Sequence, residues 1–203
     1  MKEMTRGIAL IAMLLAGGAA FATENEDPWR KSYSLEANGK YAAAAAVVES
    51  MASRGEDAGF AILRLGWLHY LAGQFNDSIR AYRTALEHNP RSIDARLGIA
   101  LPLMAQQRWR EAMRYLKQIT DDSPFHYLAN LRLLACEEGL RRWEHLVAHA
   151  QSLHARYPAD ATILVYLARA RAWQGKRDLA RQAYQSVLHR APGNLEAHRY
   201  LNQ

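Results

Sequence analysis

The sequence predicts an all-α fold, an α-solenoid of antiparallel helix pairs, and three observations carry that reading. Pro90, Pro124, Pro158 and Pro192 recur at a single step of 34 residues. Self-similarity at a fixed period of this size marks a stacked repeat architecture. Within each period lie two apolar-periodic segments of about a dozen residues, the signature of amphipathic helices. Between them stands a short polar or glycine break: Asn38-Gly39, Ala72-Gly73, Gln106-Gln107, Gly139 and Gln174-Gly175. Glycine there suits the left-handed conformation that ends a helix, and each proline stops the second segment.

Five units follow in order, 25–58, 59–92, 93–126, 127–160 and 161–194, with a part-helix over 195–203 to cover the last apolar face. The first unit departs most, with Pro28 near its helix start and Glu56 where the others have proline. The second is the most regular. The third has Pro102 inside its first segment, which removes a backbone hydrogen bond and is expected to kink the helix. The fourth has Leu134 and Leu146 where its neighbours have small residues, so looser pairing is expected there and in the first unit. The fifth breaks the aromatic column Tyr41, Phe75, Trp109, Trp143 with Arg177. Further columns keep the same step: Leu65, Ile99, Leu133, Leu167, and the mostly small Gly66, Ala100, Leu134, Ala168. Stacked pairs bury a continuous core that no single unit could bury.

The stretch LRLGWLHYLAGQFNDSIRAYRTALEHNP, residues 63–90, resembles the tetratricopeptide repeat family almost throughout. Leu65-Gly66, Gly73, Phe75, Ser78 in a usual alanine place, Tyr82, Ala85 and Pro90 carry the resemblance, which extends over residues 25–203. It implies a superhelix whose first helices line a concave face, and a non-enzymatic protein–protein interaction scaffold. Exported proteins of similar kind serve outer-membrane assembly, secretion or polysaccharide export.

Leu65, Gly66 and His69 are expected in the inter-helix core. At about 100° per residue, Phe60, Leu63, Trp67 and Tyr70 fall on the opposite arc. At the repeat step this arc continues through Trp29, Tyr33, Leu97, Leu101, Met104 and Leu131. An apolar band of that extent on a helix already apolar on its core side marks a binding surface. The ten residues are therefore expected to form a groove for an apolar or aromatic segment of another protein. Self-association, or burial within the superhelix, would also cover them. Leu63, Trp67, Leu97 and Leu101 stand where the family's clamp for a C-terminal carboxylate uses Lys and Asn, which argues against that mode.

Lys2 and Arg6, the apolar run GIALIAMLLAGGA and the small residues Ala20 and Ala22 predict a cleaved export signal over 1–22, with one repeat domain over 23–203. A periplasmic location in a Gram-negative envelope follows as an expectation, with no membrane-spanning segment in the mature chain. The only cysteine, Cys136, sits in an apolar stretch and reads as a small buried thiol.

The formal net charge is +6, and it is uneven: from Arg141 onward, ten Arg and Lys face four acids. Arg141, Arg142, Arg169, Arg171, Lys176, Arg177 and Arg181 are candidates for a basic surface toward an acidic polymer or partner. The bland alternative is a solvated helical exterior. Trp143 and Trp173 among these arginines are the pattern of a nucleic-acid surface, which the export signal argues against. Glu137 and Arg171, one repeat apart, are expected to pair across an inter-repeat seam. No nucleophile–base arrangement or phosphate loop stands out, so no enzyme and no cofactor are expected. His145 and His149, four apart with His154 beyond, read as an exposed histidine pair rather than a metal site.

Overall fold

The computed structural model describes residues 27–55 and 57–203, so the expected export signal and Glu56 lie outside the described residues. Within them the chain forms eleven helices and no strand. They are α1 (Pro28–Ala37), α2 (Tyr41–Ser53), α3 (Ala58–Leu71), α4 (Phe75–His88), α5 (Ile93–Ala105), α6 (Trp109–Asp122), α7 (Tyr127–Gly139), α8 (Trp143–Arg156), α9 (Ala161–Trp173), α10 (Arg177–Arg190) and α11 (Leu195–Leu201). Each packs on the next, and α3, α5, α7 and α9 also approach one another as an inner layer. This is the expected solenoid of helix pairs.

The 34-residue step sets the helix boundaries. Tyr41, Phe75, Trp109, Trp143 and Arg177 each open the second helix of a pair. Gly39, Gly73 and Gly175 take φ near +70° in the turns before those helices. Their counterparts are Gln107 and Arg141, non-glycine residues also at positive φ. The break of the fourth unit is thus Arg141 rather than Gly139, which ends α7 with its backbone against the ring of Trp109. Each step proline lies two residues past an even-numbered helix. A capping column follows at the same step. Ser92, His126, Asp160 and Asn194 accept hydrogen bonds from the first backbone N–H groups of α5, α7, α9 and α11, filling donors that a helix start leaves open.

The core runs through the stack as three adjoining clusters, with Val48 and Leu68 in the first, Ile99, Leu103 and Leu116 in the second and Leu134, Leu146 and Ile163 in the third. In α3 the fully buried arc includes Ala61 and Leu68 beside Gly66. Leu65 and His69 are only half-buried, so the core arc is turned toward Leu68 from the expected position. The His69 ring instead meets Gln74 (Nδ1···Oε1 2.8 Å). Pro102 is buried, and α5 runs past it to Ala105. Leu134 and Leu146 are both buried, and α7 and α8 are the least intimate of the consecutive pairs, as their larger side chains imply. The first pair, α1 and α2, also packs less closely than α3 with α4, α5 with α6 or α9 with α10, in line with the expectation. Burial pushes the Cys136 thiol up to about 12.

Tyr82 is wedged between α3 and α5, and two glycines make room for it. A Cβ on Gly98 would lie 2.2 Å from its Cε1, and one on Gly66 2.7 Å from its Cζ. Gly98→Ala gains helix propensity of up to about 1 kcal/mol but forces the buried ring aside. A net loss of about 1–3 kcal/mol is expected in thermal melts, largely restored by adding Tyr82→Leu. An unchanged melting temperature would mean that the ring has room to move.

Candidate functional site

The odd-numbered helices carry the ten predicted groove residues. Trp29 and Tyr33 lie on α1, Phe60, Leu63, Trp67 and Tyr70 on α3, Leu97, Leu101 and Met104 on α5, and Leu131 on α7. Tyr33 (49% exposed) and Phe60 (40%) stand in solvent, while the other eight are half-buried. The rings touch in short series: Trp29 on Phe60 (4.8 Å between centroids), Trp67 on Tyr70 (5.7 Å), Tyr70 on Phe75 (6.0 Å). Leu63, Leu97 and Met104 lean on the central core, and Leu131 on the C-terminal one. The band is therefore a partly embedded aromatic and aliphatic floor with Tyr33 and Phe60 raised at its N-terminal end.

Arginines and carboxylates that the apolar pattern did not reveal run along the same inner helices. Arg64 of α3 is buried and forms an ion pair with Glu36 of α1. Its Nη2 donates to Ser32 Oγ (3.3 Å), and its guanidinium carbon lies 3.9 Å from the Tyr33 ring centroid. The other oxygen of Glu36 accepts from Trp67 Nε1 (2.8 Å). Two repeats on, in the column of Arg64, Arg132 of α7 donates to the carbonyl of Leu97 (2.6 Å), and burial pulls its pKa below the ordinary arginine value. That repetition of Arg64 and Arg132 is the one sequence signal that pointed to them. Both guanidinium groups are thus engaged with neighbouring helices inside the stack rather than presented as a clamp for a peptide carboxylate.

The seven candidate basic residues divide. Arg169 is not a free surface charge. It holds Glu196 through Nε (2.8 Å) and Nη2 (2.5 Å) and reaches Glu138 through Nη1 (3.4 Å). The Arg169 bonds hold the Glu196 carboxyl below the usual range, whereas burial raises that of Glu138. Arg171 donates to the Leu179 carbonyl and Arg181 to that of Leu201, both at 3.3 Å. Arg171 thus does not join Glu137 across the seam. Arg141, Arg142, Lys176 and Arg177 are exposed and make no side-chain hydrogen bond or ion pair among the described residues.

The histidines are not an exposed pair. His145 is exposed, but His149 is half-buried between Glu137 (Nδ1···Oε2 3.1 Å) and the buried Asn130 (Nε2···Oδ1 2.9 Å). The Asn130 amide donates to the carbonyls of Pro124 and His126. Its oxygen therefore faces His149, and Nε2 carries a proton. Among the described residues no three His, Cys, Asp or Glu side chains converge as a metal site.

Two tetratricopeptide repeat models match the sequence, one over residues 69–134 and one over 163–194. The chain contains tetratricopeptide repeats. Residues 135–162, between the two matches, include Leu146, where the neighbouring units have small residues. Comparison with curated proteins gives no match. Solved structures share the fold. MamA from Desulfovibrio magneticus RS-1 superposes with a TM-score of 0.73 at 13% identity, over 83% of this chain and 95% of that one. YrrB, a TPR protein with an unusual peptide-binding site, gives 0.70 at 12% identity, over 87% and 91%. A thermophilic TPR protein of Thermus thermophilus gives 0.63 at 21% identity, over 86% and 96%. No helix among the described residues is long and apolar enough to cross a membrane.

Proposed function

We propose that this TPR solenoid is a non-catalytic scaffold that holds an apolar or aromatic segment of another protein along the inner face of α1, α3, α5 and α7. The carrying observation is the apolar floor from Trp29 to Leu131, with Tyr33 and Phe60 exposed at one end while Arg64 and Arg132 are turned onto neighbouring helices. Aromatic side chains of this kind anchor interfaces, because they bury much area at little entropic cost. The peptide-binding site named for YrrB, on the same fold, supports this mode of use. The export signal read in residues 1–22 supports a periplasmic scaffold in a Gram-negative envelope, with an assembly, secretion or polysaccharide-export component as partner.

Tyr33→Ala with Phe60→Ala removes the two exposed rings; because Tyr33 also covers the Arg64 guanidinium, a modest loss of stability is expected, and circular dichroism should show the helices intact. Crosslinking capture from a periplasmic fraction should lose its main protein partner, by about tenfold or more for two anchor residues. An unchanged partner set would overturn the groove. A stable dimer by light scattering that the double variant dissociates would replace it with self-association.

A further inference from the structure

We propose that the edge formed by the α7–α8 and α9–α10 turns is a second binding site, separate from the inner face, and that it takes an acidic polysaccharide. The Trp143 and Trp173 rings stack there, 5.5 Å between centroids and 5° from parallel. Trp173 is 68% exposed, so its outer indole face lies open to solvent. The repeat shows how the platform arises. Trp109 is covered by the backbone of Gly139, and the residue one step after Gly139 is Trp173. Where one unit closes its aromatic column with a glycine, the next adds a second indole that the core does not use.

Cations adjoin both indoles along the chain. Arg141 and Arg142 directly precede Trp143, and Lys176 and Arg177 follow Trp173 within four residues. All four are exposed and unpaired among the described residues, against Glu144 and Asp178 in the same turns. Arg141 occupies a left-handed position (φ +56°) where Gly39, Gly73 and Gly175 stand in other units. Arg177 also lines a cavity of about 490 Å³ together with Ala172, Arg181, Tyr200 and Gln203. The cavity adds the Tyr200 phenol and the Arg181 guanidinium, which also donates to the Leu201 carbonyl.

An open indole face accepts the C–H face of a sugar ring, whose weakly positive hydrogens meet the negative π cloud. Carboxylates on neighbouring sugars then reach these cations. A nucleic acid strand fits less well, because its successive bases each need a stacking ring, and at this edge the described residues offer the open face of Trp173 alone.

The test titrates the full chain with polygalacturonate, following tryptophan fluorescence, beside uncharged dextran, an oligothymidylate and phosphatidylglycerol vesicles. Polygalacturonate is expected to bind, and more weakly as salt rises. Trp173→Ala should weaken binding by about fivefold or more, the loss of one stacking partner. Arg141→Asn, Arg142→Gln, Lys176→Gln and Arg177→Gln together should abolish it, with circular dichroism unchanged. The Tyr33→Ala, Phe60→Ala variant should bind as the wild type does, which keeps this site distinct from the inner groove. No binding at low salt, equal binding of dextran, an unaffected Trp173→Ala, or tighter binding of the oligothymidylate or the vesicles would overturn the proposal.

Discussion

Leu116→Ala should lower the unfolding free energy by about 2–5 kcal/mol, the range for a leucine deleted from a packed core. Leu116 is fully buried in the middle of α6, and its cluster draws residues from α4, α5, α6 and α7. The helices around it are held by neighbours on both sides, so the cavity cannot readily collapse and the upper half of the range is expected. A solenoid adds a second consequence, because each unit is stabilised chiefly by the units it touches. The central cluster joins the N-terminal to the C-terminal core, and its loss should separate the two halves in urea. Tryptophan fluorescence, with Trp29 and Trp67 at one end, Trp109 at the central cluster and Trp143 and Trp173 at the other end, should then cease to coincide with circular dichroism. Leu195→Ala, at a 78% exposed position, should change stability by no more than about 0.5 kcal/mol. A Leu116→Ala loss below about 1 kcal/mol would show that the centre of the stack is loosely packed.

The helix frame was legible because the repeat step sets backbone positions that do not depend on distant neighbours. Tyr41, Phe75, Trp109 and Trp143 formed a column in the sequence and each opens a helix. Where one residue type serves two purposes, the reading slipped. Gly139 looked like the turn glycine of its unit, but it is needed for close approach to Trp109, and Arg141 takes the left-handed position instead. The capping column was hidden because serine, histidine, aspartate and asparagine all fill it. Periodicity located an arc opposite the core, yet could not show which charged side chains cross it. Arg64 and Glu36 come from different helices, and an arginine on an amphipathic helix ordinarily reads as solvated. Its burial is decided by Ser32, Tyr33 and Glu36 one repeat away, which no local window contains.

Glu36→Ala should therefore be far more damaging than a surface carboxylate deletion. It leaves the Arg64 charge, whose side chain is only 5% exposed, with Ser32 and the Tyr33 ring as its remaining partners. It also removes the acceptor of Trp67 Nε1. Breaking a buried pair costs about 3–5 kcal/mol, and because Glu36 is itself 22% exposed the lower end is expected here. Adding Arg64→Met should recover most of the loss, since an apolar side chain of similar length needs no counter-charge. Glu36→Gln separates the two contributions, keeping an acceptor for Trp67 while removing the charge. If the ion pair dominates, Glu36→Gln should resemble Glu36→Ala in urea midpoint, and only Glu36→Ala should shift tryptophan emission to the red. If Glu36→Gln proves harmless, the hydrogen bond to Trp67 is the stronger tie between α1 and α3. If Arg64→Met fails to rescue, the two side chains act independently and the coupling assigned to them is absent.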